Sequence, residues 1–335
     1  MTTERELRNV VDWLGRCKRP VLASHSRPDG DALGSLAGMS LLLERIGAKP
    51  TVALYEPFPE RYSFMQAGVD WGHWLKLREQ PADFDALIVL DTCALAQLIP
   101  IATFIPNAPR TLVIDHHATR DEIGTRSGDL RLFDVSASAT ALLIAEVAKS
   151  AGVRLDKQLA TPLYVGLATD TGWFRFPNTD PRTLRVAADL VEAKVDLSAI
   201  YDALYQQDAA GRLRLIGRML TAMELIEDGR IAVMRLRQSD FNAAGADRTM
   251  TEDLINEAGR IRGVELMLLF SEDPDGDTRV RMRSKGTVDV AALAKQFGGG
   301  GHVRAAGAPL KGNWNEATQQ VIEAAIAAVQ SSKRA

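Results

Sequence analysis

The sequence lacks the features that mark several specialised classes of protein. Only two of its 335 residues are cysteine, which is too few for a disulfide framework and favours a reducing, cytoplasmic environment. No apolar run approaches the ~18 residues that a membrane-spanning helix needs. The N-terminal segment 1–20 has no apolar signal core and is typical of an amphipathic helix. We therefore expect neither secretion nor membrane insertion.

Charged and aromatic residues are also limited in ways that disfavour certain partners. Lys and Arg number 40 against 43 Asp and Glu, whereas proteins that grip long duplex DNA or an anionic membrane usually carry a basic excess. Aromatic residues make up 6% of the chain, too few for a stacking platform along a long single strand. The hydrophobic fraction of 46% is ordinary, so we expect a globular protein without long DNA or a membrane as a partner.

Short apolar runs alternate with helical patterns in the first half of the chain. The runs PVLASH, TVALYE, ALIVLD and TLVIDHH are strand candidates, and most are apolar on both faces, as in strands buried between helices. This alternation predicts an α/β fold with a doubly wound, mostly parallel sheet in an N-terminal domain, 1–195. A helical connector without a strand, 196–227, should lead to a smaller α/β C-terminal domain, 228–335, with a helix over 251–262.

Polar residues follow the predicted strands where ligands bind in open α/β sheets, beyond the carboxyl ends of the strands. Clustered carboxylates cannot all stay ionised there unless positive charge neutralises them. Mixed Asp and His ligands suit a transition metal such as Mn²⁺, and paired ions about 3.5–4 Å apart serve phosphoester hydrolysis. Taken singly, Asp29 or Asp31 would be interpreted as a turn former or helix N-cap. The residues of this cluster are His25, Asp29, Asp31, Asp91, Asp115, His116, His117 and Asp170.

A second group of residues lies near the C-terminus. Four consecutive glycines precede His302, and such a run exposes backbone N–H groups that an anion can approach. Upstream, period-two alternation places Arg279, Arg281 and Arg283 on one strand face, which suits a phosphate clamp. The helical pattern before the glycine run and AAGAPL after it favour an ordered turn over a flexible linker. For Arg279 and Arg281, the alternative is the solvated face of an edge strand. Arg283, nearest the glycine run, is the best functional candidate.

These motifs together resemble the DHH family of phosphoesterases. The family's name-giving triplet is Asp115-His116-His117, and the other motifs stand in order as HSRPDGDALGS, IVLDTC, ATDTGWFRFPNT and RSKGTVDVAALAKQFGGGGHVRAAG. The resemblance covers nearly the whole chain. The short architecture is similar to the nanoRNase and pAp-phosphatase subgroup and less like the longer RecJ exonucleases.

The resemblance implies roles for individual residues and a site in the cleft between the two domains. One Mn²⁺ would be held by His25, Asp29 and Asp91. The other would be held by Asp31, Asp91, His116 and Asp170, with Asp91 bridging. Asp115 would orient a histidine, and His117 would face the phosphate as transition-state stabiliser or general acid. Substrate would be bound by Arg283, Ser284, Gly299, Gly300, Gly301 and His302.

The resemblance also implies an activity: hydrolysis of short oligoribonucleotides to mononucleotides, and of 3′-phosphoadenosine 5′-phosphate (pAp) to AMP. The alternatives are a cyclic or linear dinucleotide phosphodiesterase, a pyrophosphatase or exopolyphosphatase, and a non-enzymatic metal- or nucleotide-binding regulator. The expected partners are short oligonucleotides and small phosphorylated nucleotides. The sequence leaves the oligomeric state open, with a homodimer as one option.

Overall fold

The computed structural model of the chain describes residues 2–73, 84–102, 104–251, 253–273 and 276–332. The chain forms two compact units, Met1–Gln207 and Asp208–Ala335. The boundary between them falls inside the predicted connector, 196–227. The predicted domain limits stay a prediction, as does the predicted location of the active site. The outermost residues of the predicted domains, Met1 and 333–335, lie outside the described residues.

Helices and strands alternate through both units. The helices are α1 (Glu4–Leu14), α2 (Gly30–Arg45), α3 (Thr140–Ser150), α4 (Lys157–Asp170), α5 (Pro181–Glu192), α6 (Leu197–Tyr205), α7 (Ala210–Thr221), α8 (Gln238–Ala244), α9 (Val290–Lys295) and α10 (Trp314–Ser332). The strands are β1 (Pro20–Ala23), β2 (Thr51–Leu54), β3 (Trp71–His73), β4 (Ala86–Leu90), β5 (Thr111–Asp115), β6 (Leu130–Phe133), β7 (Glu224–Ile226), β8 (Ile231–Leu236), β9 (Leu266–Glu272), β10 (Thr278–Ser284), β11 (Gly300–His302) and β12 (Ala305–Leu310). None of the helices in the described ranges is long and apolar enough to cross a membrane.

The first unit is built on a parallel sheet with strand order β3-β2-β1-β4-β5-β6. The chain runs from β1 to β3 in one direction and from β4 to β6 in the other, so the predicted doubly wound fold is confirmed. Side chains of one strand alternate between two buried clusters: Ile88 faces the helices, whereas Leu87 and Val89 face the opposite layer. The order reverses between β1 and β4, which is where ligands bind in such sheets.

Helix α2 carries two of the predicted site residues. It begins where the Asp29 side chain accepts hydrogen bonds from the backbone N–H groups of Asp31 and Ala32, an N-cap. Its glycines allow close packing on α4, because a Cβ atom added at Gly34 would lie 2.4 Å from the carbonyl oxygen of Pro162. The same packing places Asp31 against Gly166, where an added Cβ would lie 2.7 Å from the Asp31 carboxylate. Tight helix contact therefore fixes the position of Asp31.

The second unit holds a mixed sheet with strand order β11-β12-β10-β9-β8-β7. Strands β8 and β9 are parallel, and the other pairs are antiparallel. Helices α9 and α10 contribute to one buried cluster of this sheet, and α7 and α8 contribute to the other. On β10, Val280 and Met282 are buried, so the predicted alternation with the arginines is present. The expected second α/β unit is confirmed.

Three local expectations are wrong. The segment 196–227 contains the strand β7, which is a three-residue edge strand and too short to show alternation. The predicted helix 251–262 is a 3₁₀ helix over Leu254–Arg260, and Glu252 lies outside the described residues. The glycine run is more than a turn, because Gly300–His302 forms β11. Both β7 and β11 are strands because their backbones pair with a neighbouring strand, and local sequence patterns do not encode that pairing.

The close contact between α2 and α4 gives a prediction for stability. Replacing Gly34 with alanine should force the helices apart and lower the free energy of unfolding by about 1–3 kcal/mol, the usual cost of overpacking. Gly15 is the matched control, because it is exposed, has φ −60° and would place its Cβ 3.5 Å from the nearest atom. Denaturant unfolding followed by circular dichroism should show a lower midpoint for Gly34→Ala only. Equal midpoints for the two variants would contradict this view of the contact.

Candidate metal centre

The parallel sheet brings the predicted site residues to one edge. His25 follows β1, Asp91 follows β4 directly, and Asp115 ends β5 and is followed by His116 and His117. The backbone of Asp91 has φ 59°, a left-handed conformation that costs energy for a residue other than glycine. Its N–H nonetheless bonds to the carbonyl of Ile114 on β5. Strain of this kind is concentrated at functional sites, where the surrounding structure enforces it.

Two helix ends complete the cluster. Asp31 lies in the first turn of α2 and is 2% exposed, and Asp170 is the last residue of α4. Asp29 caps α2 through one carboxylate oxygen, so its interpretation as an N-cap is correct, although the residue also lies at the cluster. Asp31 is not a turn former: its carboxylate accepts backbone hydrogen bonds from Thr140 and Ala141 at the start of α3.

Potential ligand atoms converge in three overlapping groups. Within each group, one ligand atom from every residue lies within 4.8 Å of the others. Two ligands of one cation, each about 2.1 Å from it, lie roughly 3 to 4 Å apart, so these groups could hold a metal ion. The groups are His25 with Asp29 and Asp91, Asp31 with His116 and Asp170, and Asp91 with His116 and His117. Six of the residues predicted as ligands thus meet at one place.

His116 shows how well this cluster fits a cation. Its Nδ1 lies 3.2 Å from the carbonyl oxygen of Ala137, which assigns the proton to that nitrogen. Its Nε2 is buried and has no hydrogen-bond partner in the part of the chain that the structure describes. Carboxylate oxygens of Asp91, Asp170 and Asp31 surround this atom at 3.5, 3.6 and 3.9 Å. The Ala137 carbonyl thus holds the imidazole ring on one side, and the Nε2 lone pair lies among three carboxylates on the other. Histidines that bind a metal ion are commonly held in this way.

The electrostatics of the cluster also require positive charge. Burial raises the pKa of Asp31 and, with help from neighbouring carboxylates, raises that of Asp91 well above the usual range. Burial, together with Asp31 and Asp29, raises the pKa of Asp170 to about 7. Each shift means that the ionised form is unfavourable without a compensating charge. The carboxylates therefore need either protons or a cation at neutral pH.

His117 and Asp115 form a dyad beside the cluster. The Nδ1 atom of His117 lies 2.8 Å from a carboxylate oxygen of Asp115, which also accepts the backbone N–H of His117. This hydrogen bond is the main reason that the pKa of His117 is raised. The His117 side chain is 54% exposed, whereas Asp115 is fully buried. The remaining nitrogen, Nε2, is thus the atom through which His117 can act on a ligand.

Two residues that support the cluster were missed by sequence reasoning. The Thr140 hydroxyl donates to Asp91 at 3.0 Å, and the Asn178 side chain donates to the carbonyl oxygens of Ser138 and Asp170. Asn178 lies in the motif ATDTGWFRFPNT, which could have indicated a role. Thr140 lies outside every quoted motif, and its contact spans 49 residues of sequence.

The predicted substrate-binding residues lie together in the second unit. Arg283 pairs with Ala305, which in turn pairs with His302, so Arg283 and His302 stand on the same face of the sheet. The Arg279 side chain donates a hydrogen bond to the Asp273 carboxylate, and the Arg281 side chain donates one to the Thr251 hydroxyl. Arg283 has no acidic partner among the residues described.

The remaining substrate-binding candidates are Ser284 and the glycines, and Ser284 lies on the opposite face of β10 from Arg283, with Val280 and Met282. Ser284 is buried, and its hydroxyl is unpaired within the described ranges. The glycines of the run allow close strand approach. A Cβ at Gly299 would lie 2.1 Å from the carbonyl oxygen of Gly307, and Gly301 has φ 142°. Gly300 lies between them on β11 and is exposed. The run is therefore ordered structure and not a flexible linker.

The dyad gives a prediction that nuclear magnetic resonance can check on metal-free protein. The Asp115 carboxylate stabilises the protonated imidazole, so Asp115→Asn should lower the pKa of His117. The control is Asp121→Asn, because the Asp121 carboxylate accepts the backbone N–H of Leu95 and is not among the carboxylates that raise the pKa of His117. If the pKa of His117 were the same in Asp115→Asn as in the unmodified protein, the hydrogen bond to Asp115 would not be what raises it.

Comparisons with known proteins agree with this architecture. Residues 21–167 match the DHH family, N-terminal domain, and residues 228–331 match the DHHA1 domain. The chain is 33% identical to the bifunctional oligoribonuclease and PAP phosphatase NrnA of Thermus thermophilus, over 95% of this chain and 93% of that protein. It is 31% identical to the protein of the same name from Bacillus subtilis, over 89% of this chain and 90% of that one. The crystal structure of an exopolyphosphatase-related protein from Bacteroides fragilis has the same fold, with a TM-score of 0.84, 24% identity and 96% coverage of both chains. This chain therefore belongs to the DHH family and consists of a DHH domain followed by a DHHA1 domain.

Proposed function

We propose that the chain is an Mn²⁺-dependent phosphoesterase with two metal ions. Its substrates would be short oligoribonucleotides, cleaved to mononucleotides, and pAp, hydrolysed to AMP. The observation that carries the proposal is the buried Nε2 of His116, which lies among the carboxylates of Asp31, Asp91 and Asp170 and has no hydrogen-bond partner among the residues that the structure describes. The substrate class is supported by relatives named as bifunctional oligoribonucleases and PAP phosphatases that align with most of the chain.

The proposed ligand sets follow the groups of converging atoms. One ion would be held by His25, Asp29 and Asp91, and the other by Asp31, Asp91, His116 and Asp170. Asp91 suits the bridging role because its two oxygens face different histidines: Oδ2 lies 3.6 Å from His25 and Oδ1 lies 3.5 Å from His116. When bound, such a pair of cations supplies hydroxide at neutral pH and neutralises phosphoryl charge.

Side chains of the protein would donate protons to the substrate and bind its phosphate groups. Asp115 holds Nδ1 of His117, so Nε2 of His117 can donate a proton or hydrogen bond to a phosphoryl or leaving oxygen. Its raised pKa favours the protonated form that this role needs. In the second unit, Arg283 offers charge-assisted hydrogen bonds to a phosphate, and His302 adds a donor on the same face of the sheet. Ser284, at the end of β10, would have to reach the phosphate from the other face. The glycines Gly299 to Gly301 would let the phosphate approach the backbone.

We also propose a cytoplasmic location and small nucleotide partners. Both cysteines are buried free thiols, which suits a reducing compartment. Short oligonucleotides and small phosphorylated nucleotides are the proposed partners. A homodimer remains a hypothesis that sedimentation would test.

The proposed function is tested by a substrate panel. With Mn²⁺, the protein should hydrolyse a diribonucleotide and pAp, and should leave pyrophosphate and cyclic di-AMP largely intact, as read by product chromatography. Removing metal with a chelator should abolish turnover, and Mn²⁺ should restore it. His117→Asn should lose turnover and keep its metal, because His117 is in neither proposed ligand set and its Nδ1 is bonded to Asp115. Preferred hydrolysis of pyrophosphate or a cyclic dinucleotide, or full activity without metal, would replace this proposal with one of the alternatives.

The role of Arg283 gives a separate prediction. Removing one charge-assisted contact costs on the order of 1.5–3 kcal/mol, so Arg283→Ala should raise KM for a dinucleotide roughly ten- to a hundred-fold. Metal content should stay unchanged. Arg279→Ala is the control on the same strand face, because Arg279 already bonds to Asp273. Equal kinetics for both variants would remove Arg283 from the proposed substrate site.

A further inference from the structure

The segment Ala137–Ala141, between β6 and the first turn of α3, contacts the metal-ligand cluster from the protein interior. The carbonyl of Ala137 faces Nδ1 of His116 at 3.2 Å. The backbone N–H groups of Thr140 and Ala141 donate to the two oxygens of Asp31 at 2.6 and 2.9 Å. These residues are at most 5% exposed. One short segment therefore contacts two of the proposed ligands through its backbone.

Thr140 is the residue of this segment that touches two carboxylates at once. Its N–H donates to Asp31, and its hydroxyl donates to Oδ1 of Asp91 at 3.0 Å. When Asp91 is ionised, as a metal ligand would be, the Thr140 hydroxyl is the donor, because an ionised carboxylate only accepts hydrogen bonds. The backbone bond has a structural reason as well. Ala139, the N-cap of α3, has no side chain that could accept an N–H group, and Asp31 takes that place.

The hydroxyl bond acts on the orientation of the Asp91 carboxylate. The last torsion of an aspartate side chain is broad and roughly two-fold, so a buried carboxylate needs partners to hold one orientation. In the observed orientation Oδ1 faces His116 and Oδ2 faces His25. A rotation of the carboxylate would move both oxygens from these two groups together. Fixing Oδ1 through Thr140 thus fixes the geometry on both sides of Asp91.

We propose that Thr140 is a positioning residue that preorganises the metal centre by orienting the Asp91 carboxylate. The inference rests on the proposed metal-binding function. Partners that orient a ligand from behind typically account for 10- to 100-fold in metal affinity. The hydroxyl of Thr140, and not its bulk, is responsible for the effect.

Calorimetric titration of metal-free protein with MnCl₂ tests this directly. Thr140→Val keeps the shape and removes the donor, so both equivalents of Mn²⁺ should bind about 10- to 100-fold more weakly. Thr140→Ser keeps the hydroxyl and should restore affinity to near that of the unmodified protein. The matched control is Thr111→Val: Thr111 is also fully buried, its hydroxyl makes a hydrogen bond with Arg126, and it lies at the opposite end of β5 from the cluster. Its Mn²⁺ affinity should not change.

The outcomes separate this inference from the proposed function. Unchanged affinity in Thr140→Val, or a failure of Thr140→Ser to rescue, would overturn the role of Thr140 alone. Thr140→Ala is a second variant without the hydroxyl, and circular dichroism of all variants shows whether they fold. If the unmodified protein bound no Mn²⁺, both proposals would fail. If it bound Mn²⁺ but hydrolysed neither a dinucleotide nor pAp, the proposed function would fail, and the comparison of Thr140 variants would still decide the inference.

Discussion

Three carboxylates, two of them buried and one half-buried, repel one another at the sheet edge of the first unit. Asp31, Asp91 and Asp170 lie around one histidine nitrogen, and burial raises the pKa of all three. Such a cluster weakens the metal-free fold, because desolvated charges of one sign are costly. It is kept together by close helix packing at Gly34 and by backbone donors at the start of α3. The same arrangement that is unfavourable without a cation is favourable with one.

The sheet topology explains why these residues can meet. Strands β1 and β4 are neighbours at the point where the strand order reverses, so the loops after them lead in opposite directions and leave a crevice. His25 follows β1 and Asp91 follows β4, on the two sides of this crevice. The adjacent strand β5 ends with Asp115, which is followed by His116 and His117. Helices α2 and α4 then present Asp31 and Asp170 from one layer. Residues separated by about 145 positions are thereby brought into one cluster of potential ligand atoms.

Much of this arrangement could be predicted from the sequence, because strand ends and family motifs are local signals. The apolar runs located β1, β2, β4 and β5, and the polar residues after them located the cluster. The support of the cluster could not be predicted. The bonds from Thr140 to Asp91 and Asp31 span 49 and 109 residues, and no local pattern encodes them. The short edge strands β7 and β11 were missed for a related reason, since pairing with a neighbour defines them.

We propose that the cluster holds two divalent cations that share Asp91. The most direct measurement is anomalous diffraction at the manganese absorption edge from crystals grown with Mn²⁺. We expect two anomalous peaks, one among His25, Asp29 and Asp91 and one among Asp31, His116 and Asp170, with Asp91 between them. A single peak, or manganese bound only elsewhere on the chain, would contradict it.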